Sequence, residues 1–500
     1  MTPAPRLTRR AALGLFGAGT ASVVLAGCGL GDGDAAAPTG PTGSTTPSAG
    51  GALPVPTELR STGGLLDVDL VAAPVQLPWG DRTRYALAFN GAVPGPTLRV
   101  HPGDTLRITL RNELGEPTNL HTHGLHVSPE GTGDDVFVMV DPGGSHRYEY
   151  QIPADHPPGL FWYHPHHHGT VAGQVSAGMA GAIVVDDGTT IPATERILVL
   201  SDPRIGSTAA VLDASAAERQ QGREGDAILV NGAPSPTVEA AAGSTERWRI
   251  LNASPSRFYR LRTGATMTQI GTDQGPLDQA RSVDELLLVP GQRADLLVPV
   301  GTDPLTLATE PVERGGMGGR GTGGMGGMGG MGRRNGSGST TSSAGTTTLL
   351  TVRPSGTAPP DTTAPTTLPA PPRPSVERID RRRTVSLGAM GMGAGQLVID
   401  GRSFSPDRID TTAQLGTVEE WTLTNDSMMD HPFHIHVWPF VVTERSDGTP
   451  DPGWRDTVDV PAGGSVTVRI PFTDLGGTTV YHCHILDHED LGMMATIRAT

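Results

Sequence analysis

With 500 residues, the chain is too long for one compact core and should form two to four domains. Its 68 glycines and 44 prolines, an aromatic content of only 4%, and recurring short Val/Ile/Leu/Thr runs between turn residues are the profile of β-sandwiches joined by loops. A formal net charge of -15, with no lysine in the sequence, argues against nucleic acid as a partner.

The first 27 residues read as an address. "TRRAALGLFG" sets Arg9 and Arg10 before an apolar stretch, in the manner of a twin-arginine export signal, and "LAGC" ends at Cys28 like a bacterial lipobox. Ala11 to Ala26 is short and glycine-rich for a membrane span, which takes ~20 apolar residues. Export to the cell envelope, cleavage before Cys28 and lipidation of its thiol are expected, that lipid being the link to a membrane. A lipidated Cys28 leaves Cys483 without a partner, so no disulfide is expected. Residues 28–57, rich in Ala, Gly, Pro and Thr, read as a flexible tether.

Beyond the tether the chain repeats itself. "FNGAVPGPTLRVHPGDTLRITLRN" (89–112), "VNGAPSPTVEAAAGSTERWRILN" (230–252) and "IDGRSFSPDRIDTTAQLGTVEEWTLTN" (399–425) share Asn/Asp-Gly, then proline, then glycine. An asparagine follows that last glycine at a constant interval: Gly103 to Asn112, Gly243 to Asn252, Gly416 to Asn425. The interval suits a turn feeding one strand of fixed length. "DPGGSHRYEYQIP", "VPGQRADLLVPV" and "VPAGGSVTVRIPF" supply a second shared turn and strand. Three related β domains follow. The first and third reach an aromatic strand with histidines, whereas no histidine occurs between His168 and His431. The middle domain therefore supplies no imidazole and reads as a spacer or a substrate-side wall.

Four His-x-His pairs carry the chemistry: His121/His123, His164/His166, His434/His436 and His482/His484. Residues i and i+2 on a strand face the same way, so each pair offers two imidazoles from one face. Eight neutral donors exceed what one zinc, with four ligands, can use, and they suit a cluster of several first-row metals. Cys483, between His482 and His484, faces away from both. With His431, His488 and Met493 it completes two histidines, a thiolate and a weak thioether, the ligand set of a blue copper site. A sulfur so placed can pass electrons to either adjacent histidine.

The motifs "HTHG", "WYHPHHHG", "HPFHIH" and "HCHILDHEDLGMM", in this order within three repeats, resemble the multicopper oxidases, especially bacterial three-domain members of the laccase and copper-efflux-oxidase group. The resemblance covers roughly residues 60–500. It implies an all-β chain of three cupredoxin-like Greek-key β-sandwich domains, with boundaries at 58–190, 191–355 and 377–500 and a Pro-rich linker at 356–376. It also implies four copper ions. His121 and His434 would hold the type 2 copper; His123, His164, His166, His436, His482 and His484 the type 3 pair; His431, Cys483, His488 and Met493 the type 1 copper. The implied reaction couples one-electron oxidation of a small-molecule or metal-ion reductant to four-electron reduction of O2 to water, in a monomer. Glu489 matches an acidic position that relays protons to the cluster, and Asp134 or Asp135 is the candidate on the first domain's side. A thioether at Met493 suggests a moderate type 1 potential.

Six histidines stand outside this set, His101, His126, His146, His156, His167 and His168, and read as surface or hydrogen-bonded residues, with His168 open to a supporting role. The segment "RGGMGGRGTGGMGGMGGMG" (314–332) reads either as an inert glycine linker or as a cuprous-ion trap, since thioethers are soft ligands. Met429 matches a cuprous contact of the efflux oxidases, but Ser427 stands where an acid is expected. Reduced metal ions and phenols or aromatic amines are the two substrate classes. The rival reading is a copper-sequestering surface protein without turnover.

Overall fold

Alternating sequence builds the strands. In Thr105–Asn112 (TLRITLRN), Leu106, Ile108 and Leu110 are fully buried, while Thr105, Arg107 and Arg111 face outward. The computed structural model describes residues 50–206, 211–316, 345–357, 369, 371–390 and 396–500. The export signal, Cys28 and the tether up to residue 49 lie outside the described residues. No helix among the described residues is long and apolar enough to cross a membrane.

In the first sandwich, a four-stranded sheet ordered Arg82–Phe89, Leu65–Trp79, Thr105–Asn112, Ser145–Gln151 accompanies a five-stranded sheet that ends on Gly159–His164 and His121–His123. Their shared core includes Leu70, Ile108, Tyr148, Phe161 and Ile183. The third repeat forms a six-stranded and a five-stranded sheet around Trp421, Phe433, Trp438 and Phe472. The middle repeat is one nine-stranded sheet. It turns a corner along Tyr259–Thr272, which pairs with Leu305–Glu310 near one end and Arg293–Pro299 near the other.

The repeated asparagines do the same work three times. Asn112, Asn252 and Asn425 are buried at strand ends. Each Nδ2 donates to two backbone carbonyls, Glu116 and Val140, Arg257 and Leu288, or Met429 and Val460, and each Oδ1 accepts the amide two residues on. Gly103, Gly243 and Gly416, which begin the intervals, all have positive φ. The asparagine pins the loop that leads to His121 in the first repeat and to His431 in the third.

The three parts close on each other. Leu160, Trp162 and Val184 of the first pack on Val199, Leu251 and Ala253 of the middle. Asp490 accepts the amides of Gly169, Val171 and Ala172, so an acid of the third part caps helix Val171–Ala177 of the first. Arg223 of the middle part is held by Asp487 at 2.7 Å. Residues 50–54, expected in the tether, instead pair with the middle sheet: Gly50 N donates to Ser235 O at 3.0 Å and Leu53 N to Thr237 O at 3.1 Å. Leu53 packs on the middle core, which gives this stretch a reason to be ordered.

Candidate metal centre

Strand pairing assembles the histidines. His121–His123 lies antiparallel to Gly159–His164, setting His121 opposite His164. His431–Ile435 lies antiparallel to Gly477–Cys483, setting His434 opposite His482. All eight imidazoles of the four pairs are at most 2% exposed. His121/His123/His164, His121/His434/His436 and His166/His436/His482 each bring ligand nitrogens within 4.8 Å of one another, so the sets overlap in one nest between the first and third sandwiches. His484 borders it, its ring 5.0 Å from that of His123 and 5.6 Å from that of His482.

Six of these rings carry a buried nitrogen with no hydrogen-bond partner: His121 Nε2, His123 Nδ1, His164 Nε2, His434 Nε2, His436 Nδ1 and both nitrogens of His484. Each such atom costs about 1–3 kcal/mol unless something binds it. Burial, reinforced in most by neighbouring imidazoles, holds all eight below the ordinary histidine value, His164 at about 3 and His482 at about 4. Burial thus favours the neutral imidazole, the form that metal ligation requires.

Around the nest stand groups that hold protons and fix ring orientation. Asp134 Oδ2 lies 2.6 Å from His121 Nδ1 while Oδ1 accepts from Thr122 N, and burial pushes this acid up to about 7. Asp135, the alternative, is half-buried and accepts from Phe137 N instead. Glu489 is fully buried with neither carboxylate oxygen hydrogen-bonded. It sits 3.5 Å from His166 Nε2 and 3.3 Å from His482 Nδ1. Burial raises it well above the carboxylate range, which favours the protonated acid. Asp456 went unnoticed in the sequence. Its Oδ1 lies 3.0 Å from His123 Nε2 and its backbone oxygen 2.8 Å from His434 Nδ1. No motif marks it; its place follows from the pairing of Thr457–Val460 with the strand of His431.

Cys483 points the other way. Its Sγ is buried in the third core, 3.5 Å from His431 Nδ1, 3.7 Å from His488 Nδ1 and 3.5 Å from the Ile485 amide that donates to it. Met493 is fully buried in the same core, its carbonyl accepting from Cys483 N at 3.0 Å. Burial pushes the free thiol up, so it ionises on binding a metal. The outward nitrogens are also taken: Ser427 Oγ lies 2.9 Å from His431 Nε2, and His488 Nε2 is 3.2 Å from Gln220 O of the middle part. Ser427, where an acid is expected from the resemblance, thus orients the His431 ring.

Residues 317–332 of the methionine-rich insert lie outside the described residues. Its start does not: Gly315 bridges Met429, Gly316 N donates to Met428 O at 3.2 Å, and Asp430 N donates to Arg314 O at 2.8 Å. The insert therefore leaves the middle sheet beside His431, where Met428 is 63% exposed.

Family profiles described as Multicopper oxidase match residues 73–190, 161–304 and 369–500. The multicopper oxidase mco of Staphylococcus haemolyticus is 27% identical over 430 residues, which cover 83% of this chain and 84% of that protein. The cell division protein FtsP of Xenorhabdus nematophila is 30% identical over 422 residues, covering 81% and 83%. Among solved structures, a multicopper oxidase from Campylobacter jejuni, described as a metallo-oxidase, has a TM-score of 0.77 at 28% identity, covering 90% of this chain and 96% of that one. A laccase from Pediococcus acidilactici gives 0.77 at 28%, covering 91% and 95%. The chain belongs to the multicopper oxidase family, and its fold is three cupredoxin-like β-sandwich domains. The donor set fits the family's metal: unpartnered neutral imidazoles in one site, and a thiol with two imidazoles in the other.

Proposed function

We propose that this chain is an exported, lipid-anchored multicopper oxidase with domain boundaries at 58–190, 191–355 and 377–500. It couples one-electron oxidation of a reductant to four-electron reduction of O2. The observation that carries this reading is the tripeptide His482-Cys483-His484, whose sulfur faces His431 and His488 while its imidazoles face the nest. Bound copper would supply the one-electron steps at the sulfur and the electrons for O2 at the nest. His431, Cys483, His488 and Met493 would hold the outer ion, and the eight paired histidines the other three, with His121 and His434 on the type 2 copper. The Cys483 backbone gives a covalent path between the two sites. Glu489 holds a proton next to His166 and His482, and Asp134 one next to His121, as a reaction that consumes four protons per O2 needs.

The reductant is a cuprous or other reduced metal ion, supported by exposed Met428, by Met429 and by the insert that starts beside them, or else a phenol or aromatic amine. Steady-state oxidation of both classes, by the intact protein and after removal of residues 314–332, separates them. Selective loss of cuprous activity assigns the insert to metal capture, and an unchanged ratio makes it a linker. A copper-holding surface protein without turnover is ruled in if the copper-loaded chain consumes no O2 when reductant is added.

A further inference from the structure

The histidine-free middle domain reaches the edge of the nest, and Arg293 is the side chain that engages it most fully. Arg293 opens strand Arg293–Pro299 and is fully buried. All five of its N–H donors are used: Nε on Leu160 O (3.0 Å), Nη1 on Gly291 O (3.1 Å) and Asp456 Oδ1 (2.8 Å), Nη2 on Asp273 O (2.7 Å) and Asp456 Oδ2 (2.6 Å). These acceptors belong to all three domains. Space for the guanidinium comes from Gly124, the glycine of "HTHG": at φ +88°, a Cβ there would collide with Arg293 and Asp456. Gln274, also of the middle sheet, donates to Asp456 Oδ2 at 2.7 Å and Gly124 O at 2.8 Å.

The carboxylate so clamped lies 3.0 Å from His123 Nε2, with Thr457 Oγ, which donates to the same carboxylate, 3.3 Å from that nitrogen. In His121, His164 and His434, Nδ1 is engaged by Asp134, Pro165 O and Asp456 O, and Nε2 is left bare. Two rings are reversed: His436, whose Nε2 meets His482 while Nδ1 is bare, and His123, whose Nε2 is engaged by Asp456 while Nδ1 is bare. A carboxylate accepting from an imidazole fixes its tautomer and strengthens it as a ligand, and a bidentate arginine fixes the carboxylate.

We propose that Arg293 is a positioning residue for the nest, selecting Nδ1 of His123 as the metal-facing nitrogen by holding Asp456 against Nε2. The middle domain is then a working wall of the cluster. This rests on the oxidase reading.

The test compares Arg293→Met, Arg293→Lys, Asp456→Asn and, as a control, Arg247→Met. Arg247 forms a largely buried pair with Asp295 in the same sheet (2.6 Å) and bonds no histidine. Copper per chain, the blue absorption of the Cys483 site and the magnetic resonance of the nest are measured after loading. Arg293→Met and Asp456→Asn should keep the blue absorption and lose at least half of the nest copper, Arg293→Lys should recover part of it, and Arg247→Met should keep the ratio of the unaltered protein. Should Arg293→Met not fold, Asp456→Asn decides by the same readout. Full nest copper with unchanged spectra in the altered chains, or an equal loss in Arg247→Met at matched Tm, overturns the proposal alone. An unaltered chain that binds no copper overturns the oxidase reading as well.

Discussion

Glu489 is buried between two imidazoles with neither oxygen hydrogen-bonded, and on the proposed reading it carries a proton there. Glu489→Gln keeps its shape and removes the acid. Copper content and blue absorption should be unchanged while turnover falls roughly 10²-fold, as measured by O2 uptake. A fall in copper content would make Glu489 a structural residue instead. Cys483 tests the other site. Cys483→Ser removes the sulfur from between His431 and His488 and should abolish the blue absorption and turnover, leaving nest copper in place by elemental assay. Both residues were legible from their motif. Asp456 and Arg293 were not, because nothing in "WRDTV" or "GQRAD" shows which distant strand will arrive beside them.

Among the elements, the asparagine-pinned strand explains why one pattern recurs three times. Its length was readable from the glycine-to-asparagine interval, but the asparagine's buried hydrogen bonds were not, since one acceptor in each set, Val140, Leu288 or Val460, lies about 28–36 residues further along the chain. Asn252→Ala and Asn425→Ala should each lower stability by at least about 1–3 kcal/mol in denaturant unfolding, from the carbonyls and amide left unpaired. Only Asn425→Ala should shift the blue absorption, because Met429, whose carbonyl it holds, precedes His431 by two residues. Equal spectra in the two variants would count against that linkage. The turn before Arg293 is equally constrained. Gly291 has φ +86°, and a Cβ there would lie 2.9 Å from the His484 ring. Gly291→Ala should cost about 1–3 kcal/mol in backbone strain alone and displace a nest ligand.

At the scale of the molecule, the site exists because the first and third domains close on each other. Histidines placed only in the first and third repeats pointed to those two domains; a part for the middle domain was not legible, since a domain without imidazoles gave no sign of reaching the cluster. One closing contact is titratable. His126 Nε2 lies 3.0 Å from Asp474 and Nδ1 2.9 Å from Val437 O. Burial alone would lower His126, but Asp474 outweighs it and raises the imidazole above 6.5, while His126 holds Asp474 below 3.8. The raised imidazole contributes stability that is full below its unfolded value and lost as pH rises through its folded one. The depressed carboxylate contributes stability above its unfolded value, lost as pH falls through its folded one. The Tm difference between the unaltered chain and Asp474→Asn should therefore be largest at about pH 5–6 and shrink toward pH 9. A difference independent of pH would remove the ion pair from the closure.

The proposed oxidase takes in electrons at one sulfur and delivers them four at a time to O2. Its most direct test is the amount of reductant oxidised per O2 consumed by the copper-loaded chain, with peroxide assayed in the same vessel. Four one-electron equivalents per O2 with no peroxide is the result expected. Two equivalents with stoichiometric peroxide, or no O2 uptake, would contradict it.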